Sequence, residues 1–135
     1  MTAILVDSNV LLDIVSPDQE WGDWSSTALA QALEESPLVI NPMIYAEVSV
    51  RFTSMTELDE QVPPNLFRRE ALPYEAGFVA GKCFVEYRRR GGRLRSPMPD
   101  FYIGAHAQLA GYRLLTRDPN RYRSYFPKLA LIAPV

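Results

Sequence analysis

The sequence predicts an α/β fold in which a short central parallel sheet is flanked by helices on both faces. Short apolar runs alternate with longer stretches of helical spacing along the chain, and this order is typical of parallel strands joined by helices. With 135 residues, 47% of them hydrophobic, the chain is long enough for one core. No repeat or linker composition divides it, so residues 1–135 are predicted to form a single domain.

The N-terminal half is assigned from apolar runs and the turn residues between them. The predicted elements are a strand over 3–6, helices over 10–15 and 24–33, a strand over 38–40, a helix over 43–52, and a second short helix within 53–65. Strand 3–6 is a continuous apolar run, as expected of a buried strand. Asn41 and Pro42 favour a helix start, because asparagine caps helices and proline is tolerated in the first turn.

The C-terminal half contains the longest helical pattern. Its predicted elements are helices over 74–90 and 100–110, a strand over 112–116, a short helix over 119–126, and a last strand over 129–133. The first of these helices follows Pro73 and stops at Gly91-Gly92, which are common start and stop signals. The segment SPMP, residues 96–99, leads into the next helix.

Charge is distributed unevenly along the chain. Residues 1–67 carry a net charge of −10 and residues 68–135 carry +8, which together give −2. Most of the basic residues are arginine, whose planar guanidinium suits phosphate better than lysine does. The segment YRRRGGRLR, residues 87–95, holds Arg88, Arg89, Arg90, Arg93 and Arg95. A solvated helix end explains this run by itself; beside an acidic site, it favours a phosphate-rich partner.

Bulk features bound the setting of the protein. No apolar stretch has the length of a membrane span, and no charged-then-apolar leader is seen. The single cysteine, Cys83, cannot form an intrachain disulfide, which agrees with a reducing compartment. We therefore expect a soluble, cytoplasmic protein without a membrane partner.

Four acids stand out by position. Asp7 ends the first strand and Asp118 lies just beyond the next-to-last one, where parallel sheets place their sites. Asp100 begins a helix, and Glu47 lies in a mostly apolar helix in which a carboxylate is partly desolvated. Each also has an ordinary explanation: the aspartates as helix caps, and Glu47 in an exposed pair with Arg51 worth only about 0.3–0.5 kcal/mol.

If these acids converge, a cation is needed to offset their repulsion. Mg²⁺, or Mn²⁺ in its place, prefers such oxygen ligands, and one histidine with one cysteine makes no zinc cluster. A phosphatase of the haloacid-dehalogenase type is an alternative, because an aspartate follows the first strand. That class has a second acid where this chain has Asn9, and it needs a lysine, for which Lys82 and Lys128 are poorly placed.

Four motifs occur in this order along the chain: ILVDSN, a glutamate in AEV, PDFYIGAHAQLAGYRLLTRD and FPKLALIAP. Together they resemble the PIN domain and, more closely, the VapC ribonuclease toxins of bacterial toxin–antitoxin pairs. The resemblance runs from residue 4 to 134, is strongest over 97–118, and is loose over 16–37 and 53–73. It implies a three-layer α/β/α PIN-like fold. By position, the metal-binding catalytic acids of the family fall on Asp7, Glu47, Asp100 and Asp118, and its polar helpers on Asn9 and Thr116.

The resemblance also implies an activity and partners. The protein is expected to be a Mg²⁺- or Mn²⁺-dependent endoribonuclease that leaves a 5′-phosphate and a 3′-hydroxyl. The sequence does not specify which RNA is cut, and tRNA and rRNA are the candidate classes. A cognate VapB-type antitoxin would inhibit it, a homodimer is expected, and operator DNA would be bound only through the antitoxin. The five arginines of residues 87–95 are candidates to grip RNA, with Arg117 and Arg121 closer to the scissile bond.

Other interpretations stay open at this point. The same fold and chemistry are compatible with an RNA-processing nuclease that is not a toxin, or with a catalytically inert binding module. His106 is expected to have a structural or surface role and not a catalytic one, because its helix is largely apolar. Asp13 is expected to be solvated, and Gly104 either permits a close helix–sheet approach or is incidental.

Overall fold

The structure is a computed structural model that describes residues 2–93 and 97–135. In that part of the chain, the strands are β1 (Ile4–Val6), β2 (Leu38–Ile40), β3 (Phe67–Arg69), β4 (Arg113–Leu115) and β5 (Leu131–Ile132). They form one sheet in the order β3-β2-β1-β4-β5, and every pair is parallel. The all-apolar β1 is central and completely buried, as a strand covered on both faces must be.

Helices connect the strands. They are α1 (Ser8–Val15), α2 (Gly22–Glu35), α3 (Pro42–Ser49), α4 (Met55–Gln61), α5 (Tyr74–Arg89), α6 (Met98–Ala110) and α7 (Asn120–Tyr125). α1 packs on α2 and α3, whereas α6 packs on α5 and α7. The chain adds strands outward to β3 and then returns to β4 on the other side of β1. Right-handed crossovers therefore put the two groups on opposite faces, and the predicted three-layer α/β/α fold class is confirmed.

Local sequence signals begin and end the helices near the site. The Asp7 carboxylate caps α1 by accepting from the Ser8 backbone N–H, and Asn41 caps α3 by accepting from that of Ile44 at 2.9 Å. α6 ends at Gly111, whose φ of 74° is the left-handed conformation that favours glycine. These caps fix the directions in which α1 and α3 leave the sheet.

Strand β3 was not predicted from the sequence. Its residues read Phe-Arg-Arg, with the phenylalanine buried and both arginines exposed, so the run lacks the apolar signature of the other strands. β3 pairs only with β2, at the edge of the sheet, where polar side chains are tolerated. The other predicted elements are present with ends shifted by a few residues. Among the described residues, no helix is long and apolar enough to cross a membrane.

Aromatic packing holds α7 against α6. The buried Phe101 ring lies 4.9 Å from that of Tyr125 and 6.2 Å from that of Tyr87, measured between centroids. Gly104 lies beneath Phe126, and a Cβ at that glycine would overlap the Phe126 ring. Gly104 therefore permits close contact between α6 and the chain just after α7, which fixes α7 beside the first turn of α6.

Candidate active site

The carboxyl ends of the central strands bring together residues that are distant in sequence. Asp7 follows β1, and Thr116 with Asp118 follows β4, the neighbour of β1. The Asp7 backbone N–H donates to the Leu115 carbonyl at 2.9 Å, so the two strand ends are locked in register. β1 is also where the strand order changes direction, which is the usual position of sites in open parallel sheets.

The Asp7 carboxylate is buried and surrounded by donors. Its Oδ2 accepts from Thr116 Oγ1 at 2.9 Å, from the Tyr122 hydroxyl at 2.9 Å and from Asn9 Nδ2 at 3.3 Å. Its Oδ1 accepts one short bond, from the Ser8 backbone N–H at 2.8 Å. Three donors fill the lone pairs of Oδ2, so Oδ1 is the atom with capacity left for a cation.

Burial raises the pKa of Asp7 to about 7, and the charge of Asp100 adds to the rise. The hydrogen bonds from Thr116 and Tyr122 act in the opposite direction, because they stabilise the ionised carboxylate. A buried carboxyl group with this pKa at the end of a strand is typical of a functional site.

Glu47 joins the site through Ser8. It projects from α3, and its Oε1 accepts from Ser8 Oγ at 2.7 Å; the same hydroxyl lies 3.5 Å from Asp7 Oδ1. Burial raises the pKa of Glu47, and the charge of Asp100 raises it further. Glu47 therefore lies within the electrostatic reach of the aspartates.

Asp100 lies in the first turn of α6 and faces α7. Its Oδ2 accepts from Arg121 Nη1 at 2.9 Å, and its Oδ1 lies 3.5 Å from the Tyr122 hydroxyl. Burial raises the pKa of Asp100, although the Arg121 guanidinium opposes this and the charge of Asp118 supports it. No side-chain cap hydrogen bond begins α6, so helix capping does not explain Asp100.

Asp118 is the most exposed of the four acids, with 78% of its side chain accessible. Its backbone N–H donates to Thr116 Oγ1 at 3.1 Å, and its carboxylate lies 3.9 Å from Arg117 Nη1. α7 also begins without a side-chain cap, so the capping explanation fails for Asp118 as well.

Asn9 and Thr116 connect the two strand ends. Asn9 Nδ2 lies 3.2 Å from Thr116 Oγ1, and both side chains donate to Asp7. The carbonyl oxygen of the Asn9 side chain accepts from the Arg117 backbone N–H at 3.2 Å. The two residues thereby hold the loop that carries Asp118 against the loop that carries Asp7.

Two site residues were missed in the sequence. Ser8 bridges Asp7 and Glu47, and Tyr122 reaches both Asp7 and Asp100. Ser8 lies inside the motif ILVDSN, directly after Asp7, so its adjacency was an available signal. Tyr122 gives no comparable signal, because it is one of seven scattered tyrosines.

The expectation of a solvated Asp13 was wrong. Its side chain is only 4% exposed, and Oδ2 accepts from Ser25 Oγ at 2.7 Å and from Arg117 Nε at 2.8 Å. A buried carboxylate needs such partners. The Arg117 guanidinium also lies 5.8 Å from the Trp21 ring, so this arginine links the β4–α7 loop to α1 and α2.

The remaining arginines differ in how far they are engaged. Arg89 and Arg90 pair with Glu86, and Arg90 also lies 4.4 Å from the Tyr125 ring of α7. Arg88 lies over the Phe84 ring, and Arg93 is exposed. Arg95 lies outside the described residues. The end of α5 therefore adjoins α7, the helix that carries Arg121.

His106 is structural, as expected. It is buried, with Nδ1 at 3.0 Å from Asn41 Nδ2 and Nε2 at 3.3 Å from Glu70 Oε1. Burial lowers the pKa of His106, although Glu70 opposes the change. The histidine supports the cap of α3, the helix that carries Glu47.

The donor chemistry of the four acids fits a hard divalent cation. All their ligand atoms are oxygen, the set that Mg²⁺ and Mn²⁺ accept. The charge of Asp100 raises the pKa of both Asp7 and Glu47, so bound positive charge would relieve the repulsion. Across residues 2–93 and 97–135, no three His, Cys, Asp or Glu side chains are already grouped as ligands of one ion. Cation binding at Asp100 must compete with Arg121.

Comparisons with known proteins agree with this architecture. The family model of the PIN domain matches residues 4–127. Similar solved structures include VapBC2 of Rickettsia felis bound to a promoter DNA fragment (14% identity, 98% of each chain, TM-score 0.72) and VapBC-1 of nontypeable Haemophilus influenzae (13%, 98% of each chain, 0.73). A toxin–antitoxin complex of Klebsiella pneumoniae is also similar (22%, 98% of each chain, 0.70). At these identities the likeness is one of fold. Among curated proteins, none matches the chain.

Proposed function

The chain belongs to the PIN-domain family, a family of nucleases, and from this premise we propose that it is a metal-dependent endoribonuclease. The observation that carries the proposal is the buried Asp7 carboxylate at the end of β1. Burial and the charge of Asp100 raise its pKa to about 7, so the ionised form is costly without a cation. An inert helix cap has no need of such an environment.

We assign Asp7 and Asp100 as the preferred direct ligands of the metal. Glu47 and Asp118 would bind it directly, bind it through water, or orient the attacking water. A bound Mg²⁺ or Mn²⁺ supplies an activated water and offsets the charge of the phosphate under attack. Asn9 and Thr116 donate to Oδ2 of Asp7, which leaves Oδ1 as the oxygen that would bind the cation.

The basic side chains near α7 fit an RNA backbone. Arg121 is 42% exposed and lies beside Asp100, where its guanidinium can bind a phosphate next to the cleaved bond. Arg88, Arg89, Arg90 and Arg93 extend this surface along the end of α5, and Arg95, which lies outside the described residues, is proposed to bind RNA as well. Arg117 is directed at Asp13 instead, so we now propose that it orders the loop of Asp118.

The test is RNA cleavage by the purified chain, freed of any co-purifying antitoxin. Structured RNA with Mg²⁺ or Mn²⁺ is expected to be cut to 5′-phosphate and 3′-hydroxyl ends. Asp100→Asn should lose at least about 100-fold of this activity, and Asp23→Asn, at an exposed position in α2, should lose none. Cleavage that persists in EDTA, or equal cleavage by the Asp100 variant, would refute the proposal.

We further propose that the nuclease is the toxin of a VapBC-type pair and that it acts in the cytoplasm as a single-domain homodimer. The solved structures of similar fold include VapBC complexes, two of them bound to DNA, which in one case is a promoter fragment. A VapB-type antitoxin would block the acidic site and carry the pair to its operator. Expression of the wild-type chain should then arrest bacterial growth, whereas Asp100→Asn or co-expression with the antitoxin should not.

One observation favours a second candidate, an inert binding module. Asp100 is already paired with Arg121 at 2.9 Å. Because this guanidinium offsets the charge of Asp100, the carboxylate is stable without a metal. This alternative predicts no Mn²⁺ binding and no effect of Asp100→Asn on partner binding. The same cleavage and metal measurements therefore separate the two candidates.

A further inference from the structure

Tyr122 is the aromatic residue that lies deepest in the acidic site. It projects from α7, four residues after Asp118, and only 1% of its surface is exposed. Its hydroxyl donates to Asp7 Oδ2 at 2.9 Å and lies 3.5 Å from Asp100 Oδ1. One neutral group thus contacts the two carboxylates to which the metal is assigned.

The chemistry of this contact is directional. A phenol has one proton to donate, and the shorter distance assigns that proton to Asp7. A bond from a neutral hydroxyl to a carboxylate is charge-assisted and stronger than a bond between neutral groups. A tyrosine hydroxyl keeps its proton at neutral pH, so the phenol is a donor there.

We propose that Tyr122 is a positioning residue for the metal-binding carboxylates. Its hydroxyl donates to Oδ2 of Asp7 and holds that oxygen inside the protein, which leaves Oδ1 for the cation. The inference rests on the proposed metal-dependent function. It goes beyond that function because it assigns part of the metal affinity to a side chain that neither binds the metal nor touches RNA.

A plain core role makes a different prediction. If the Tyr122 ring only fills the core, loss of the hydroxyl changes the stability of the metal-free protein and leaves metal affinity unchanged. Tyr125 provides a matched control in the same helix, since its ring contacts Phe101 and Arg90. Tyr122→Phe and Tyr125→Phe each remove one hydroxyl and keep the ring.

The experiment measures Mn²⁺ affinity of the full chain by electron paramagnetic resonance. Tyr122→Phe is expected to weaken binding by about tenfold or more, the usual effect of losing a residue that orients a ligand. Tyr125→Phe should bind as the wild type does, and Asp7→Asn should lose binding. The rise in melting temperature on adding Mn²⁺ should shrink for Tyr122→Phe and remain for Tyr125→Phe.

The outcomes separate a failure of the role of Tyr122 from a failure of the proposed function. Wild-type affinity in Tyr122→Phe, with binding lost in Asp7→Asn, overturns the role of Tyr122 and leaves the proposed function standing. Binding that is absent from the wild type, or that survives Asp7→Asn, overturns both.

A second measurement applies if Tyr122→Phe does not fold. 3-Fluorotyrosine placed at position 122 alone, in the otherwise natural chain, should change its ¹⁹F shift when Mg²⁺ is added, whereas the same label at the exposed Tyr74 should not. An unchanged shift at position 122 overturns the proposal.

Discussion

Replacing Asp7 by asparagine should make the metal-free protein more stable, although it removes a proposed catalytic group. The ordinary pKa of 3.8 applies to Asp7 in the unfolded chain, and in the folded protein it is about 7. Between these values the unfolded chain has released its proton and the folded protein still holds it. The contribution of Asp7 to stability is therefore complete below pH 3.8 and is lost as the pH rises through 7. The full loss is about 4 kcal/mol.

Asparagine avoids this loss because it carries no charge at any pH. Its oxygen can still accept from Thr116 and Tyr122, but its amide N–H₂ then faces the Ser8 backbone N–H, which costs about 1 kcal/mol. The net stabilisation by Asp7→Asn is about 3 kcal/mol at pH 8 and about 1 kcal/mol at pH 5. The dependence on pH identifies the carboxylate as its cause.

Urea denaturation in EDTA, followed by the fluorescence of Trp21 and Trp24, measures this difference at both pH values. Asp23→Asn controls for the removal of an acid at an exposed position in α2. The reasoning is refuted if Asp7→Asn is less stable than the wild type at pH 8. It is equally refuted if the difference between the two proteins is the same at pH 5 and pH 8.

Three further predictions concern the surroundings of the site. Arg117→Ala should lower the free energy of unfolding by about 3–5 kcal/mol, because it leaves Asp13 buried and unpaired; unchanged stability in urea would contradict this. Arg121→Ala breaks an exposed ion pair, so it should lower the free energy of unfolding by less than about 1 kcal/mol. The same variant should bind Mn²⁺ more tightly, because Asp100 is no longer paired with an arginine. Weaker Mn²⁺ binding by Arg121→Ala would contradict this prediction. Gly104→Ala should destabilise by about 1–3 kcal/mol through overlap with a buried ring, whereas Gly81→Ala, with open space at its Cβ, should stabilise by about 0.5–1 kcal/mol.

The parts of the fold that were predictable are those specified by local sequence. β1 and β2 are short apolar runs, and α3 follows an asparagine cap and a proline, so neighbouring residues suffice to assign them. β3 has no such local signature. Its edge position depends on pairing with β2, from which it is about 30 residues distant in the chain.

The residues of the candidate site also divide into those that local sequence specifies and those that depend on tertiary contacts. Asp7 and Asp118 were predictable because strand ends in a parallel sheet are where sites form. Tyr122 was not, because its contact with Asp7 spans 115 residues and depends on how α7 packs against α6. The burial of Asp13 likewise depends on Arg117, which is 104 residues away. Such contacts exist only once the tertiary structure has formed.

The carboxylates of the site differ in their partners according to which half of the chain they come from. Asp7 and Glu47 come from the acidic half, and they accept hydrogen bonds from neutral groups such as Ser8, which leave their negative charge uncompensated. Asp100 comes from the basic half, and it forms an ion pair with Arg121, which comes from the same half. The Tyr122 hydroxyl lies 2.9 Å from Asp7 and 3.5 Å from Asp100, so the two kinds of carboxylate lie in one site.

A divalent cation that enters beside Asp7 would weaken the hold of Asp100 on Arg121, since like charges repel. In the proposed complex with RNA, the released guanidinium would be free to bind a phosphate. Metal and RNA should therefore bind cooperatively in the wild type, and the cooperativity should be lost in Arg121→Ala. Mn²⁺ titrations with and without a non-cleavable RNA measure this coupling, and equal coupling in both proteins would refute the exchange.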